Sequence, residues 1–317
     1  MAYRFKLDEP VPAGIKRIVR EEIESAVRQL SGKGEGDLDE AIHEARKSMK
    51  KIRGVLRLMR GELGDIYGME NAHFGDIGRE LSQFRDAGAS IETFDALRKR
   101  YRGEMDGRML ASIRRRLKAS KRQAEQQAGI AAVLTRMAAA LRQLAPSVSR
   151  WPLAKDGFPA IAPGLEATFR DGQKAMARAR KHPLPENYHE WRKRVKAHWY
   201  HIRLLEGVWD GAMPAYEKRL KDLETWLGED HNLVVLEEKI RAAPGAYGRA
   251  PEIALFVRLI GKHRKELRGD ALALGARTYG EKPRQFTRRM RSMWDAGEAH
   301  GAAGSAAPPK TGVADQS

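Results

Sequence analysis

"IHEARKSMKKIRGVLRLMR", residues 42–60, decides the fold, because it predicts a helix with two parallel stripes. Its apolar positions recur in alternating steps of three and four, which is typical of a helix face packed on a core. Continued one turn further, they are Ile42, Ala45, Met49, Ile52, Leu56, Met59 and Leu63. The basic positions follow one residue later each time, and we call them the first ladder: His43, Arg46, Lys50, Arg53, Arg57 and Arg60. One residue is about 100° of helix rotation, so the first ladder lies beside the core-facing stripe.

The same two stripes return later in the chain. Residues 188–206, "YHEWRKRVKAHWYHIRLLE", align with residues 42–60 after a shift of 146 positions. The core-facing stripe is kept in register as Tyr188, Trp191, Val195, His198, Ile202, Leu205 and Trp209. The basic positions, which we call the second ladder, are His189, Arg192, Lys196 and Arg203, and Lys193 repeats Lys47 beside them. The second ladder is shorter, because Trp199 and Glu206 stand where the first ladder has arginines.

A further echo follows each ladder. "LSQFRDAGASI" at 81–91 resembles "LETWLGEDHNLVV" at 223–235 once two residues are inserted, and Asp86 then pairs with Asp230. We expect each aspartate to lie in a turn after a helix, where it caps a helix or pairs with a ladder arginine. A stripe, a ladder and a downstream segment that recur in the same order indicate an internal duplication. Repeat one covers about 12–145 and repeat two about 163–295.

Helical periodicity dominates the chain and strand-type alternation is scarce, which predicts an all-α fold. The predicted helices cover 12–30, 38–62, 69–85, 88–126, 130–145, 164–181, 187–208, 213–228, 231–242 and 251–275. Asp37 and Asn187 are the expected N-caps of the two ladder helices. Trp191 and Trp209 fall on the second core-facing stripe, so we expect both in the core. The segment 298–317 is small, polar and proline-bearing, which predicts a disordered C-terminal tail.

The charge balance predicts an anionic partner. The chain has 317 residues with 59 Lys and Arg against 42 Asp and Glu, a formal net charge of +17. With 42% hydrophobic residues it can still bury a core, so it is not a disordered polycation. Nucleic acid, an acidic membrane surface and a free polyanion all fit such a charge.

The absence of cysteine excludes disulfides, cysteine nucleophiles and thiolate metal sites. No apolar run approaches the ~18 residues of a membrane span, so no membrane association through a span is expected. The first residues are charged from Arg4 onward and have no apolar core of a secretion signal. We therefore expect a cytoplasmic protein that needs no cofactor.

The pattern H-E-x-R-K-x-x-K on a long helix, present twice and followed each time by an aspartate-bearing segment, resembles the conserved histidine α-helical domain (CHAD) family. "YGEKPRQFTRRMRSMW" at 279–294 also resembles the end of that domain. The resemblance covers roughly residues 5–295. It implies two four-helix bundles related by a pseudo-twofold axis around a basic central groove or pore.

The resemblance further implies a non-enzymatic protein that binds inorganic polyphosphate, and association with polyphosphate granules is an additional expectation. Carried over position by position, the signature histidines are His43 and His189. The matching basic positions are Arg46, Lys47, Lys50, Arg53, Arg57, Arg192, Lys193, Lys196 and Arg203. The family often accompanies a triphosphate-tunnel metalloenzyme domain marked by an E-x-E-x-K strand. The nearest match, "EIESA" at 22–26, lacks the lysine, so that enzyme domain is not expected.

The physics of the two ladders agrees with such a ligand. Polyphosphate is a flexible chain with about one charge per phosphate, and a helix with one cation per turn offers it a charge every ~5 Å. Arginine adds bidentate hydrogen bonds to phosphate oxygens. A histidine beside phosphate gains a proton, so we expect affinity to rise as pH falls through the range where His43 and His189 protonate. Solvated helix faces, and capping or core roles for both histidines, are the alternatives.

Weaker candidates lie on other predicted helices. The basic positions that could extend the binding surface are Arg17, Arg20, Lys118, Lys121 and Lys262. His198 and His201 have a spacing that can bind metal, but no third ligand accompanies them, which favours a structural role. We therefore predict no metal site.

A sequence-independent nucleic-acid-binding protein is the alternative function. The charge permits it, but the chain has no helix-turn-helix, zinc-finger or RNA-recognition motif, and aromatic residues are scarce on the basic stripes. An enzyme acting on polyphosphate would need a carboxylate cluster or an activated nucleophile, and neither is evident. The sequence does not predict the oligomeric state.

Overall fold

The computed structural model describes residues 3–6, 8–34, 36–127, 129–209 and 211–305, except for the side chains of 85–87, 124–127 and 301–305. These residues form helices and no strand, so the predicted all-α class is confirmed. The α-helices are α1 (Val11–Leu30), α2 (Leu38–Leu58), α3 (Arg60–Leu63), α4 (Ile66–Glu80), α5 (Ser82–Arg100), α6 (Gly107–Gln127), α7 (Ile130–Leu144), α8 (Gly157–Lys181), α9 (Pro185–Leu204), α10 (Met213–Ala242), α11 (Ala250–Thr278) and α12 (Pro283–Ser305). No helix among them is both long and apolar enough to cross a membrane.

The single helix predicted over 88–126 is two helices, α5 and α6. Gly103 has a φ of +96°, a left-handed conformation that suits glycine and ends the first segment. Asp106 then caps α6, because its Oδ1 accepts hydrogen bonds from the backbone N–H groups of Arg108 and Met109. A glycine turn and an aspartate cap therefore interrupt the helical period.

The two helices predicted over 213–228 and 231–242 are one continuous helix, α10. The expected turn at Asp230 is therefore wrong. The helix continues through Gly228, and packing explains the glycine, because a Cβ there would lie 3.2 Å from Nε of Arg192. The glycine marks a close approach between helices and not a helix end.

The N-cap predictions gave one success and one error. Asp37 caps α2, and its Oδ1 accepts a hydrogen bond from the backbone N–H of Glu40 at 3.0 Å. Asn187 does not cap α9, which begins earlier, at Pro185. Proline suits the first turn of a helix, because the missing N–H has no partner there anyway. Asn187 instead donates from Nδ2 to the backbone oxygen of His182 at 2.8 Å.

The ladder helices α2 and α9 cross each other at matched positions. A Cβ on Gly54 would lie 3.1 Å from the Cβ of Tyr200, and these two residues are 146 positions apart. His201 Nε2 also donates to the backbone oxygen of Gly54 at 2.9 Å. Contact between equivalent positions is what a pseudo-twofold axis through the crossing predicts. It supports the duplication, which remains a prediction.

The apolar core lies across both repeats. One cluster joins the core-facing stripes of α2 and α9 with α1, α7, α8 and α12. A second cluster packs α5 and α6 of the first repeat against α11 and the C-terminal half of α10. Trp191 is fully buried as expected, but the core position expected for Trp209 is wrong, because 51% of that residue is exposed. It follows the end of α9, where the helical stripe no longer applies.

The last helix continues further than the sequence suggested. α12 ends at Ser305, so it includes residues 298–305 of the segment expected to be a disordered tail. Residues 306–317 lie outside the described residues.

A candidate polyanion-binding groove

A basic groove runs between the two ladder helices. Its larger hollow has a volume of about 390 Å³ and its smaller one about 230 Å³. The hollows are continuous, because Arg46, Lys50, Arg192 and His231 line both. We call them together the groove. The cations that line it are Arg46, Lys50, Arg53 and Arg57 from α2, and Arg192, Lys193 and Lys196 from α9.

The placement of these side chains follows from the helix period. Each ladder lies one residue from a buried stripe, so its side chains emerge at the edge of the contact between α2 and α9. Gly54 and Ala197 line the larger hollow between the cations and leave space for a ligand. Opposing cations from the two ladders therefore meet over one hollow.

Lys50 shows how strongly the cations are crowded. Its side chain is exposed, yet the groove removes part of its hydration, and Lys196, Arg46 and Arg192 lie close. Burial and these three charges lower the pKa of Lys50 to about 7. An anion in the groove would reverse that shift, because it stabilises the protonated amine.

Glu224 lies beneath the second ladder and is 4% exposed. Lys196 Nζ donates to its Oε1 at 2.9 Å, and Lys221 Nζ donates to its Oε2 at 3.1 Å. Arg192 Nη2 donates to Oε1 at 3.4 Å. Burial alone would raise the pKa of Glu224, but Lys196, Arg192 and Lys221 outweigh it and hold the pKa at about 2. The carboxylate is thus ionised and fixes the second ladder.

Arg53 of the first ladder has a neutral partner. Arg53 Nε donates to Oδ1 of Asn71 at 3.0 Å, and this contact neutralises no charge. Burial and the neighbouring charges of Arg57 and Arg79 lower the pKa of Arg53. Glu224 thus neutralises charge on the α9 side of the groove, whereas the described partner of Arg53 neutralises none.

Two histidines stack where the hollows join. The rings of His189 and His231 have centroids 4.0 Å apart and an interplanar angle of 36°. Burial lowers the pKa of both, aided for His189 by Lys193 and Arg192, and for His231 by His189 and Arg192. The pKa of His231 falls to about 4, so the pair is neutral near pH 7. His43 is exposed and lines the smaller hollow.

Two of the predicted polyphosphate-binding residues on α2 and α9, Lys47 and Arg203, lie outside the groove, and so does Arg60 at the end of the first ladder. Lys47 pairs with Glu44, with an Nζ–Oε1 distance of 3.0 Å. Arg203 pairs with Glu217 at 3.4 Å, and its guanidinium lies 5.3 Å from the ring centroid of Trp199. Both side chains already have local partners, and neither lines the groove.

The weaker candidates are also distributed elsewhere. Arg17 pairs with Glu9 and Glu21, Arg20 donates to Oγ of Ser149, Lys121 pairs with Asp39, Lys118 is exposed, and Lys262 lies 5.2 Å from the ring centroid of Tyr101. None of the five lines the groove. Their contribution to polyphosphate binding stays a prediction, and it would come from the protein surface outside the groove.

The remaining sequence expectations concern acids and histidines inside the fold. Asp230 is buried and accepts hydrogen bonds from Arg264 and Arg268, so its ion pairs are with α11 and not with a ladder arginine. The side chain of Asp86 lies outside the described residues. His198 and His201 are fully buried, and burial lowers the pKa of each to about 3.

Sequence reasoning missed the contribution of α10. Glu224 and His231 are seven positions apart, and this spacing places both residues on one helix face. That signal was present, but the expected turn at Asp230 divided the helix between them. A continuous helix over 223–235 would have predicted that Glu224 and His231 both contact the same neighbouring helix.

Comparison with known proteins agrees with the fold. The model of the family described as "CHAD domain" matches residues 17–241. The chain belongs to the CHAD family. No curated protein matches it.

Two solved structures resemble this CHAD protein. The crystal structure of the CHAD domain from the plant Ricinus communis has 17% sequence identity and a TM-score of 0.60, and the match covers 88% of this chain and 95% of that chain. PptA from Streptomyces chartreusis has 16% identity and a TM-score of 0.54, with 90% of this chain and 100% of that chain covered. At these identities the likeness establishes a shared fold.

Proposed function

We propose that the groove between α2 and α9 binds inorganic polyphosphate. The observation that carries the proposal is that seven lysines and arginines from two matched helices line one hollow, while no carboxylate lines it among the described residues. Membership of the CHAD family supports the same ligand, since the family resemblance implies polyphosphate binding.

A flexible polyanion fits the groove because a row of cations recognises the charge and length of a chain. Polyphosphate has no bases or side groups that the groove would need to contact. From Arg46 to Arg57 the first ladder spans about 17 Å of helix axis. Several phosphates can therefore contact α2 at once, while α9 supplies cations from the opposite wall. The low-polarity walls of a groove strengthen attraction to an anion.

Nucleic acid is the alternative, and the groove favours it less. Binding of single strands normally uses exposed aromatic rings on which bases stack. Tyr200 is the described Phe, Trp or Tyr residue that lines the larger hollow, and it is buried, while the rings of His189 and His231 stack on each other. Duplex DNA at matched phosphate concentration should therefore displace polyphosphate poorly. Efficient displacement by DNA would favour the alternative.

The proposed role is binding without catalysis. Glu92 of the smaller hollow is the carboxylate among the described side chains that line the groove, so these described residues offer no pair of acids to hold catalytic metal ions over a bound chain. Glu224 is held by three cations, and its pKa of about 2 keeps it ionised at neutral pH, so it does not supply a proton. Association with polyphosphate granules would follow from binding.

The test is calorimetric titration with long-chain polyphosphate at two salt concentrations. The groove variant carries Lys50→Glu with Arg57→Glu, and the control carries Lys99→Glu with Arg284→Glu, the same change of net charge at exposed positions outside the groove. We expect polyphosphate affinity to fall about a hundredfold in the groove variant and less than threefold in the control, since charge-assisted contacts contribute about 1–3 kcal/mol each. Equal losses would mean that overall charge, and not the groove, determines binding.

A further inference from the structure

A second basic pocket lies at another place in the fold. Its volume is about 270 Å³, and the start of α10, the end of α11 and the first half of α12 form its walls. It shares no lining residue with either hollow of the groove. It is therefore a separate site and not an extension of the polyphosphate track.

Three arginines reach this pocket from three different helices: Arg219 from α10, Arg277 from α11 and Arg289 from α12. Arg289 pairs with Glu281, the carboxylate among the described lining residues. No described carboxylate forms an ion pair with Arg219 or Arg277. The lining thus has two positive charges in excess, directed at one small space.

The floor of the pocket is fixed by buried hydrogen bonds. Tyr216 is nearly buried, and the guanidinium carbons of Arg289 and Arg219 lie 5.6 Å and 5.9 Å from its ring centroid. Its hydroxyl is hydrogen-bonded to Nε2 of His198 at 3.2 Å, and Nδ1 of His198 to the hydroxyl of Tyr279 at 3.3 Å. Burial lowers the pKa of His198 to about 3, so this network is uncharged. The floor is therefore in place before a ligand enters, which lowers the ordering cost of binding an anion.

We infer that this pocket binds a compact ligand carrying a diphosphate group. Guanidinium forks match phosphate oxygens in bidentate geometry, and two excess charges suit a small multivalent anion. The volume is close to the lower end of small-molecule sites, roughly 300 Å³. Met213 and Met293 add apolar wall, which can contact an organic part of the ligand. The diphosphate group belongs either to inorganic pyrophosphate or to a nucleoside diphosphate.

The test starts from a protein whose groove is weakened by two charge reversals. The binding of each ligand that is then lost in the site variant, but not in the control, is binding in this pocket. Pyrophosphate and ADP are titrated separately into the Lys50→Glu, Arg57→Glu protein. The site variant adds Arg219→Gln with Arg277→Gln. The matched control adds Arg284→Gln with Arg288→Gln, two exposed arginines of α12 outside the pocket. Thermal unfolding of each variant checks that the fold is kept. If the groove substitutions themselves unfold the protein, the site variant and the control are made in the wild-type chain instead.

We expect at least a tenfold loss of affinity in the site variant and less than twofold in the control. Tighter binding of ADP than of pyrophosphate would identify an organic ligand, and the reverse order an inorganic one. No binding by the parent protein, or equal affinity in the site variant and the control, would overturn the inference. The measurement involves no polyphosphate, so its failure is distinguishable from failure of the proposed function.

Discussion

The two ladders began as one pattern, yet the fold uses them differently. Lys50 of the first ladder is crowded by cations, and its pKa falls to about 7. Its counterpart Lys196 donates to the buried carboxylate of Glu224 at 2.9 Å. Burial also lowers the pKa of Lys196, but Glu224 opposes that shift. The same residue type at matched positions is thus only weakly compensated on α2, where Glu224 attracts Lys50 without a hydrogen bond, and directly paired on α9.

One position on the downstream segment distinguishes the surroundings of the two ladders. The alignment of 81–91 with 223–235 places Ser82 opposite Glu224. Ser82 lines the groove, and its hydroxyl donates to the backbone oxygen of Gly78, so it provides no charge. At this matched position the second ladder contacts a buried carboxylate, whereas the first ladder has only a hydroxyl nearby. We infer that α2 contributes more to anion affinity and α9 more to stability.

The largest expected effect separates those two contributions. Lys196→Gln should lower the free energy of unfolding by about 2 kcal/mol, because it removes a charged hydrogen bond from a buried carboxylate. Lys50→Gln should leave that free energy unchanged or raise it, since it relieves repulsion between cations. Urea denaturation of both variants measures the contrast. Equal stability of the two variants would contradict the assigned roles.

A transplanted carboxylate sharpens the comparison. Ser82→Glu should give the first ladder the neutralising partner that the second already has. We expect polyphosphate affinity to fall about tenfold, which is ~1.4 kcal/mol. Ser82→Gln, of similar size and without charge, is the control for calorimetry. If both substitutions weaken binding equally, shape and not charge is responsible.

The titration of Lys50 predicts a pH dependence of binding. The amine loses its proton above about pH 7 in the free protein, and a bound polyanion raises its pKa. Binding therefore takes up a proton above pH 7, and affinity should fall about fivefold from pH 7 to pH 9. Lys50→Gln should make the affinity nearly constant over this pH range, whereas Lys99→Gln, an exposed lysine outside the groove, should not. Calorimetry in buffers of different ionisation enthalpy would measure the proton uptake directly.

The stacked histidines should give a smaller effect on the acidic side. His189 and His231 are neutral near pH 7, and a bound anion raises the pKa of both. Affinity should therefore rise about threefold from pH 7 to pH 5, and level off once His231 is protonated in the free protein as well, near its pKa of about 4. His189→Gln with His231→Gln should remove the rise, and His43→Gln should remove less of it. An unchanged profile in the double variant would exclude the pair as its source.

Much of this site was readable from sequence, because a helix converts spacing into position. The steps of three and four placed Arg46, Lys50 and Arg53 on one edge of the core, and the repeat directed a second set toward it. The sequence could not show that Arg203 would turn to Glu217 and Trp199, since both partners depend on packing. Glu224 was missed for the same reason: its partners come from another helix. The missed half of the groove is the part made by tertiary contact.

The most direct test of the central claim is the salt dependence of polyphosphate binding. By counterion release, the slope of log K against log salt decreases by about 0.7 for each lost phosphate contact on a single-stranded polyanion. Lys50→Gln with Arg57→Gln should therefore reduce the wild-type slope by about 1.4, and Lys99→Gln with Arg284→Gln should leave it unchanged. Equal slopes for the wild type and the groove variant would contradict the claim that polyphosphate binds between the ladders.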